Sequence, residues 1–96
     1  ARQQGDMAKA RQELVTAIQL EPQAALPQRE MGLLLLSANN PDLAVNFFKR
    51  AVEFEPDDKS ALGYLGCALI RSKQPDLGRR FLERAGPGAW TSCAAE

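Results

Sequence analysis

Few residues of this 96-residue chain have side chains and spacings that would support catalysis. Histidine is absent, which removes Ser-His-Asp and Cys-His catalysis and the most common zinc ligand. The two cysteines, Cys67 and Cys93, have neither the spacing of a metal site nor that of a redox motif. We therefore expect Cys67 to be a small buried hydrophobic residue and Cys93 to be a loose thiol in the C-terminal tail.

The remaining candidate motifs for chemistry have simpler structural explanations. The acidic pair Asp57-Asp58 lies where a helix is expected to begin, and carboxylates are favourable at the positive end of a helix dipole. The segment Gly86-Pro87-Gly88 is expected to end a helix, and it does not have the form of a phosphate-binding loop. The sequence thus predicts a protein with no catalytic, cofactor or metal site.

Charge and hydrophobicity argue against two classes of partner. Basic and acidic residues number twelve each, so no net field draws the chain to nucleic acid or to an anionic membrane. A local basic cluster is formed by Arg71, Lys73, Arg79, Arg80 and Arg84. Asp76 and Glu83 oppose these charges, so a solvated helix face is favoured over a nucleic-acid stripe. No apolar run approaches the roughly 18 residues of a membrane-spanning helix, and we expect no membrane insertion.

One segment of the sequence recurs at a fixed interval of 34 residues. Residues 40–51 align with residues 74–85 and share Pro, Asp, Leu, Phe, Arg and Ala at equivalent positions. A further match at the same interval runs back to the segment that starts at Gly5. A fixed period of this length is typical of stacked structural repeats.

Apolar residues follow the period of amphipathic helices, and no strand pattern competes. The pattern predicts five helices of roughly 12 to 16 residues, joined by tight turns. Asp6 is the expected N-cap of the first, and Pro41 and Pro75 are expected to start the third and fifth. The tail, 89–96, has no clear period, and its Trp90 either folds back over the last helix as a cap or is part of a flexible tail.

The spacing of large and small residues resembles that of the tetratricopeptide repeat (TPR) family. Residues 62–69 read Leu-x-x-Leu-Gly-x-x-Leu, like the first half of the family pattern. Residues 28–35 give it again as Gln-x-x-Met-Gly-x-x-Leu, in which Gln28 is a departure from the pattern. Residues 44–56 give the second half, an alanine, a large apolar residue, a second alanine and a closing proline, echoed by residues 10–22. A third copy lacks the closing proline and has Trp90 there.

The resemblance implies an all-α fold in which antiparallel helix pairs stack as a short right-handed superhelix of about 2.5 repeats. It covers about residues 5–88. We expect a single domain, 1–96, divided into a half repeat 5–24, a full repeat 25–58, a repeat 59–88 and a tail 89–96. Small residues such as Gly66 and Gly78 are expected where paired helices approach closely.

In the resembled family the first helix of each pair lines a concave face that binds partners. Carried over by register, this face consists of Leu26, Arg29, Leu33, Leu36 and Ser37, followed by Ser60, Gly63, Tyr64, Cys67, Ile70 and Arg71. The surface is mainly apolar, which suits an extended peptide or an amphipathic helix. Some family members clamp a C-terminal carboxylate with Lys and Asn, but the matching positions here hold no Asn and only one cation, Arg29.

Several of these residues also have a purely structural interpretation. Leu33 and Leu36 suit the core as well as they suit a groove. Tyr64 is favoured as a packing residue with its hydroxyl at the surface. Arg29 and Arg71 are favoured as solvated charges over ligand contacts.

The sequence therefore predicts a non-catalytic module that binds a peptide or helix of a partner protein, as an adaptor, co-chaperone or assembly factor. The alternative is a structural or oligomerisation segment of a larger TPR protein that self-associates through exposed terminal helices, since short stacks are marginal. We expect a protein partner or a homo-oligomer, and no cofactor, nucleic acid or membrane insertion. The chain starts inside a repeat, so the absence of a visible secretory signal favours a cytoplasmic location only slightly.

Overall fold

Six helices make up the fold in the computed structural model, which describes residues 4–95. They are α1 (Gln4–Leu20), α2 (Ala25–Ser37), α3 (Pro41–Phe54), α4 (Lys59–Arg71), α5 (Pro75–Ala85) and α6 (Trp90–Ala95). No strand occurs within the described range, and the all-α prediction is confirmed. The five predicted helices correspond to α1–α5, whereas α6 forms in the tail, where the sequence has no clear period.

The predicted start of α1 is wrong. The helix already includes Gln4, so Asp6 lies in its first turn and does not precede it as an N-cap. The carboxylate of Asp6 is still favourable there, because the first turn carries the positive end of the helix dipole.

The helices pair as antiparallel hairpins, α2 with α3 and α4 with α5, and α3 packs against α4. The second hairpin shows its direction clearly, because Gly66 lies opposite Leu82 while Ile70, further along α4, lies opposite Gly78. A methyl group added to Gly66 would lie 2.8 Å from the backbone oxygen of Gly78. The predicted small residues therefore let the two helix backbones come close together.

The interval of 34 residues is also visible in the backbone. The turn after α2 and the turn after α4 each contain a residue in the left-handed conformation, Asn39 (φ 61°) and Lys73 (φ 69°). In each turn the next amide, that of Asn40 or Gln74, donates a hydrogen bond of 2.8 Å to the carbonyl five residues earlier. This is the Schellman arrangement that ends a helix, and it recurs at the predicted interval.

The starts of α3, α4 and α5 follow the sequence signals closely. Pro41 and Pro75 occupy the first turns of α3 and α5, as predicted. Asn40 caps α3, since its side chain accepts from the amide of Leu43 at 3.5 Å. Asp58 caps α4, since its Oδ1 accepts from the amides of two residues in the first turn, at 3.0 and 3.4 Å. Capping thus accounts for Asp58, the second residue of the acidic pair.

The core lies where α2, α3 and α4 meet. Its largest fully buried side chains are Phe48, Leu65 and Leu69, each exposing 1% or less of its surface. Gln28, the departure from the repeat pattern, is only 2% exposed, and its Oε1 accepts no hydrogen bond within the described residues. A polar group in this state costs free energy, so Gln28 weakens the core that it helps to fill.

Both ends of the stack expose apolar side chains. On α1, Val15 and Leu20 are 40% and 76% exposed, and on α5 Leu77 is 37% exposed. Between residues 4 and 95, none of the helices has the length and hydrophobicity needed to cross a membrane.

Candidate binding groove

The predicted concave face divides into two parts, and the first is the outer face of α2, with Leu26, Arg29, Leu33 and Leu36 (the α2 face). Leu26 is 57% exposed and could contact a partner. Leu33 is half-buried and packs against the core. Leu36 is only 7% exposed and belongs to the core cluster, so it offers little surface to a partner.

Arg29 is not a solvated charge. Its Nη1 lies 2.7 Å from Oδ2 of Asp58, and the two side chains are only 26% and 16% exposed. Because Asp58 also caps α4, this ion pair connects the middle of α2 to the start of α4. The guanidinium is therefore used within the fold, and it gives the groove little free positive charge.

The second part of the concave face consists of Gly63, Tyr64 and Cys67 on α4 (the α4 strip), and α6 covers it. A Cβ on Gly63 would overlap the indole ring of Trp90, so the indole lies directly on the backbone of α4. Tyr64 stacks on Phe48 at 6.1 Å between ring centroids and meets Trp90 edge-on at 6.0 Å. Tyr64 is thus half-buried between the core and α6, which agrees with its interpretation as a packing residue.

A disulfide between Cys67 and Cys93 fastens α6 to α4, with 5.9 Å between the Cα atoms. The expectation that Cys93 is a loose thiol is therefore wrong. Cys67 is fully buried, as expected, but as half of a disulfide. The two cysteines are 26 positions apart in the sequence, and they meet because the α4–α5 hairpin and the returning tail close this loop. No local spacing motif reveals that pairing.

Trp90 folds back onto the helices, as one of the two interpretations predicted. It packs on α4, however, and the predicted packing partner was α5. Its Nε1–H donates a hydrogen bond of 2.7 Å to the carbonyl oxygen of Gly86. The intervening turn needs glycine twice. Gly86 has a φ of 77°, and a Cβ on Gly88 would overlap the indole. The segment Gly86-Pro87-Gly88 therefore both ends α5 and directs the tail towards α4.

The last predicted site residues lie at the margins of the groove. Ser60, Ile70 and Arg71 are all half-buried. Ile70 also packs against α5, since a Cβ on Gly78 would lie 2.8 Å from its Cγ1. Sequence reasoning missed that Trp90 and Cys93 join this site, although the one tryptophan of the chain and its second cysteine both fall in the tail.

The contacts at the predicted site are mainly apolar and aromatic. Gly63 and Tyr64 contact the indole of Trp90, Leu33 packs nearby against the core, and Arg29 is paired with Asp58. The described part of the chain has no group of three or more His, Cys, Asp or Glu side chains placed to hold a metal ion. Nothing in these contacts aligns a nucleophile with a base.

Comparison with known proteins identifies one family. A family model described as Tetratricopeptide repeat matches residues 1–61, more than half of the 96 residues. A search of curated proteins gave no match. The matched range includes α1, α2, α3 and the first residues of α4, and so contains the first copies of the 34-residue pattern.

Proposed function

The chain belongs to the tetratricopeptide repeat family, and from this premise we propose that it holds a segment of a partner protein in its concave groove. TPR domains generally mediate protein–protein interactions and are typically non-catalytic. The proposed ligand is a peptide or helix, and the proposed role is that of an adaptor, co-chaperone or assembly factor. We also retain the division into repeats 5–24, 25–58 and 59–88 as a proposal.

The observation that carries this proposal is the packing of α6 on α4. A short helix lies across the first helix of a pair, with Trp90 on Gly63 and Cys93 on Cys67. A face that accommodates a helix of its own chain has the shape and hydrophobicity to accommodate one from a partner. This is the helix-in-groove mode of recognition, in which apolar anchors supply the affinity.

The α2 face extends the groove beyond the part that α6 covers. Leu26 and Leu33 continue the apolar surface there. Since Arg29 is paired with Asp58, we propose that recognition depends mainly on apolar contacts. A carboxylate clamp does not form part of the proposal.

The test uses peptides selected from a random display library on the purified chain. We expect Leu26→Asp to weaken their binding at least about tenfold, which corresponds to about 1.4 kcal/mol, because a carboxylate would be desolvated against apolar ligand atoms. The control is Leu43→Asp, an exposed leucine (42%) on α3, outside the predicted groove. Titration calorimetry measures both variants, and circular dichroism confirms that both fold.

Equal affinity of the two variants for every selected peptide would place the binding surface elsewhere and would contradict the proposal. Failure to select any peptide would do the same. If only the control variant Leu43→Asp weakened peptide binding, the binding surface would lie on α3.

A second candidate function, self-association through the terminal helices, is favoured by the exposed apolar side chains at both ends of the stack. Leu20 on α1 is 76% exposed, the largest value among the large apolar residues. If this function holds, the mass from light scattering should rise with concentration, and Leu20→Asp should abolish the rise, because it would bury a charge between copies. A mass that stays at 10.5 kDa at all concentrations would rule it out.

A further inference from the structure

α6 does not occupy the place of a next repeat helix. A further copy of the 34-residue interval would start 34 residues after Lys59, at Cys93, and would pack against α5 as α4 packs against α3. Instead α6 starts at Trp90 and packs mainly against α4. A surface depression of about 360 Å³, lined by residues of both elements such as Leu82 and Thr91, lies between α5 and α6. The helix is therefore an occupant of the α4 strip and not an extension of the stack.

The α4 strip fits one kind of occupant closely. Trp90 and Cys93 are three residues apart on one face of α6, and they meet Gly63 and Cys67, four residues apart on one face of α4. The indole fits only because Gly63 has no side chain. Its N–H is satisfied from its own segment, by the carbonyl four residues earlier, so the groove needs to provide apolar surface alone.

We propose that the α4 strip is a docking site for a partner helix that presents a tryptophan and, three residues later, a small side chain, and that α6 occupies this site until the Cys67–Cys93 disulfide is reduced. This proposal rests on the proposed function, because it names the ligand chemistry and the control of the same groove. The partner segment resembles α6 and competes with it.

The disulfide controls the site because α6 is too short to be stable alone. It has six residues, and isolated helices shorter than about 12 residues are marginal in water. While the bond is intact, the tether keeps α6 at a high effective concentration beside α4, and a free partner competes poorly. When the bond is broken, non-covalent contacts hold the tail, chiefly those of Trp90 with Gly63 and Tyr64.

Opening is a thiol–disulfide exchange with a dithiol reductant. Cys67 is fully buried whereas Cys93 is half-buried, so the thiolate of the reductant attacks Sγ of Cys93 and Cys67 leaves as a thiolate, which takes up a proton. The second thiol of the reductant then attacks the mixed disulfide and releases Cys93. Two electrons and two protons pass from the dithiol to the cysteine pair, and the reductant becomes a cyclic disulfide.

The experiment measures the binding of a fluorescent peptide with the sequence of residues 86–95, in which Cys93→Ser prevents cross-linking. The full chain is compared as oxidised wild type, as wild type in dithiothreitol, and as the variant Trp90→Ala with Cys93→Ser. We expect the variant to bind at least about tenfold more tightly than the oxidised protein, with the reduced wild type between them. A peptide that also carries Trp90→Ala is the matched control and should bind none of the three.

Three results would overturn the proposal: equal binding of the peptide to oxidised protein and variant, no binding to either, or equal binding of the control peptide. If the variant does not fold, as judged by circular dichroism, the oxidised and reduced wild types decide the matter. If the wild type unfolded on reduction, α6 would be needed for the stability of the fold, and this result would also overturn the proposal. Library peptides that depend on Leu26 but ignore the redox state would leave the proposed function standing while this inference fails.

Discussion

Replacing Phe48 with alanine is expected to lower the free energy of unfolding by about 3–5 kcal/mol. The ring is completely buried where α2, α3 and α4 meet, and it touches Gly32 on one side and stacks on Tyr64 on the other. Removing it leaves a cavity at the junction of the α2–α3 hairpin with α4, and α4 cannot move in to fill it because it is also paired with α5. In a chain of this size each kcal/mol shifts the melting temperature by about 4–8 °C, so the loss should be large in a thermal melt.

The control for this prediction is Phe47→Ala, the same deletion at the neighbouring position. Phe47 is only half-buried, and the guanidinium of Arg50 lies 5.7 Å from its ring centroid. Its removal should cost clearly less, since solvent already reaches the site. A loss for Phe47→Ala equal to or above that of Phe48→Ala would contradict the position of the core.

Gly66→Leu is expected to destabilise the fold by about 1–3 kcal/mol through overpacking. The first added carbon would already lie 2.8 Å from both the backbone oxygen of Gly78 and Cγ of Leu82, and a backbone atom cannot rotate away. The gain in helix propensity over glycine, about 1 kcal/mol, is too small to offset the separation of α4 from α5. Urea unfolding followed by circular dichroism measures the change.

Ala8→Leu provides the comparison for Gly66→Leu, because Ala8 is exposed on α1 and a larger side chain there meets solvent. It should change the stability by less than about 0.5 kcal/mol. If the Gly66→Leu variant had the same stability as the wild type, α4 and α5 would not cross closely at this glycine.

The disulfide changes how the sequence of the tail is understood. Cysteines at a distance of 26 residues carry no motif, and the segment around Cys93 has no helical period. The pairing depends on the turn at Gly86 and Gly88 and on the absence of a side chain at Gly63, three glycines that act together only in the folded chain.

The sequence by itself determined the parts of this protein that depend on neighbours along the chain. The 34-residue interval, the helix starts at Pro41 and Pro75 and the close packing at Gly66 all follow from residues within one or two helical turns or from the repetition of such a unit. These signals are local, and each copy strengthens the others, so the family and the all-α fold could be predicted.

Only the tertiary structure decided which side chains of the predicted concave face remain exposed. Leu36 belongs to the core, Arg29 pairs with Asp58, and α6 covers Cys67. Each of these outcomes depends on contacts between segments that are distant in sequence. The free energy of these contacts comes from packing between different helices. A periodic pattern describes only one helix at a time, so it does not encode such contacts.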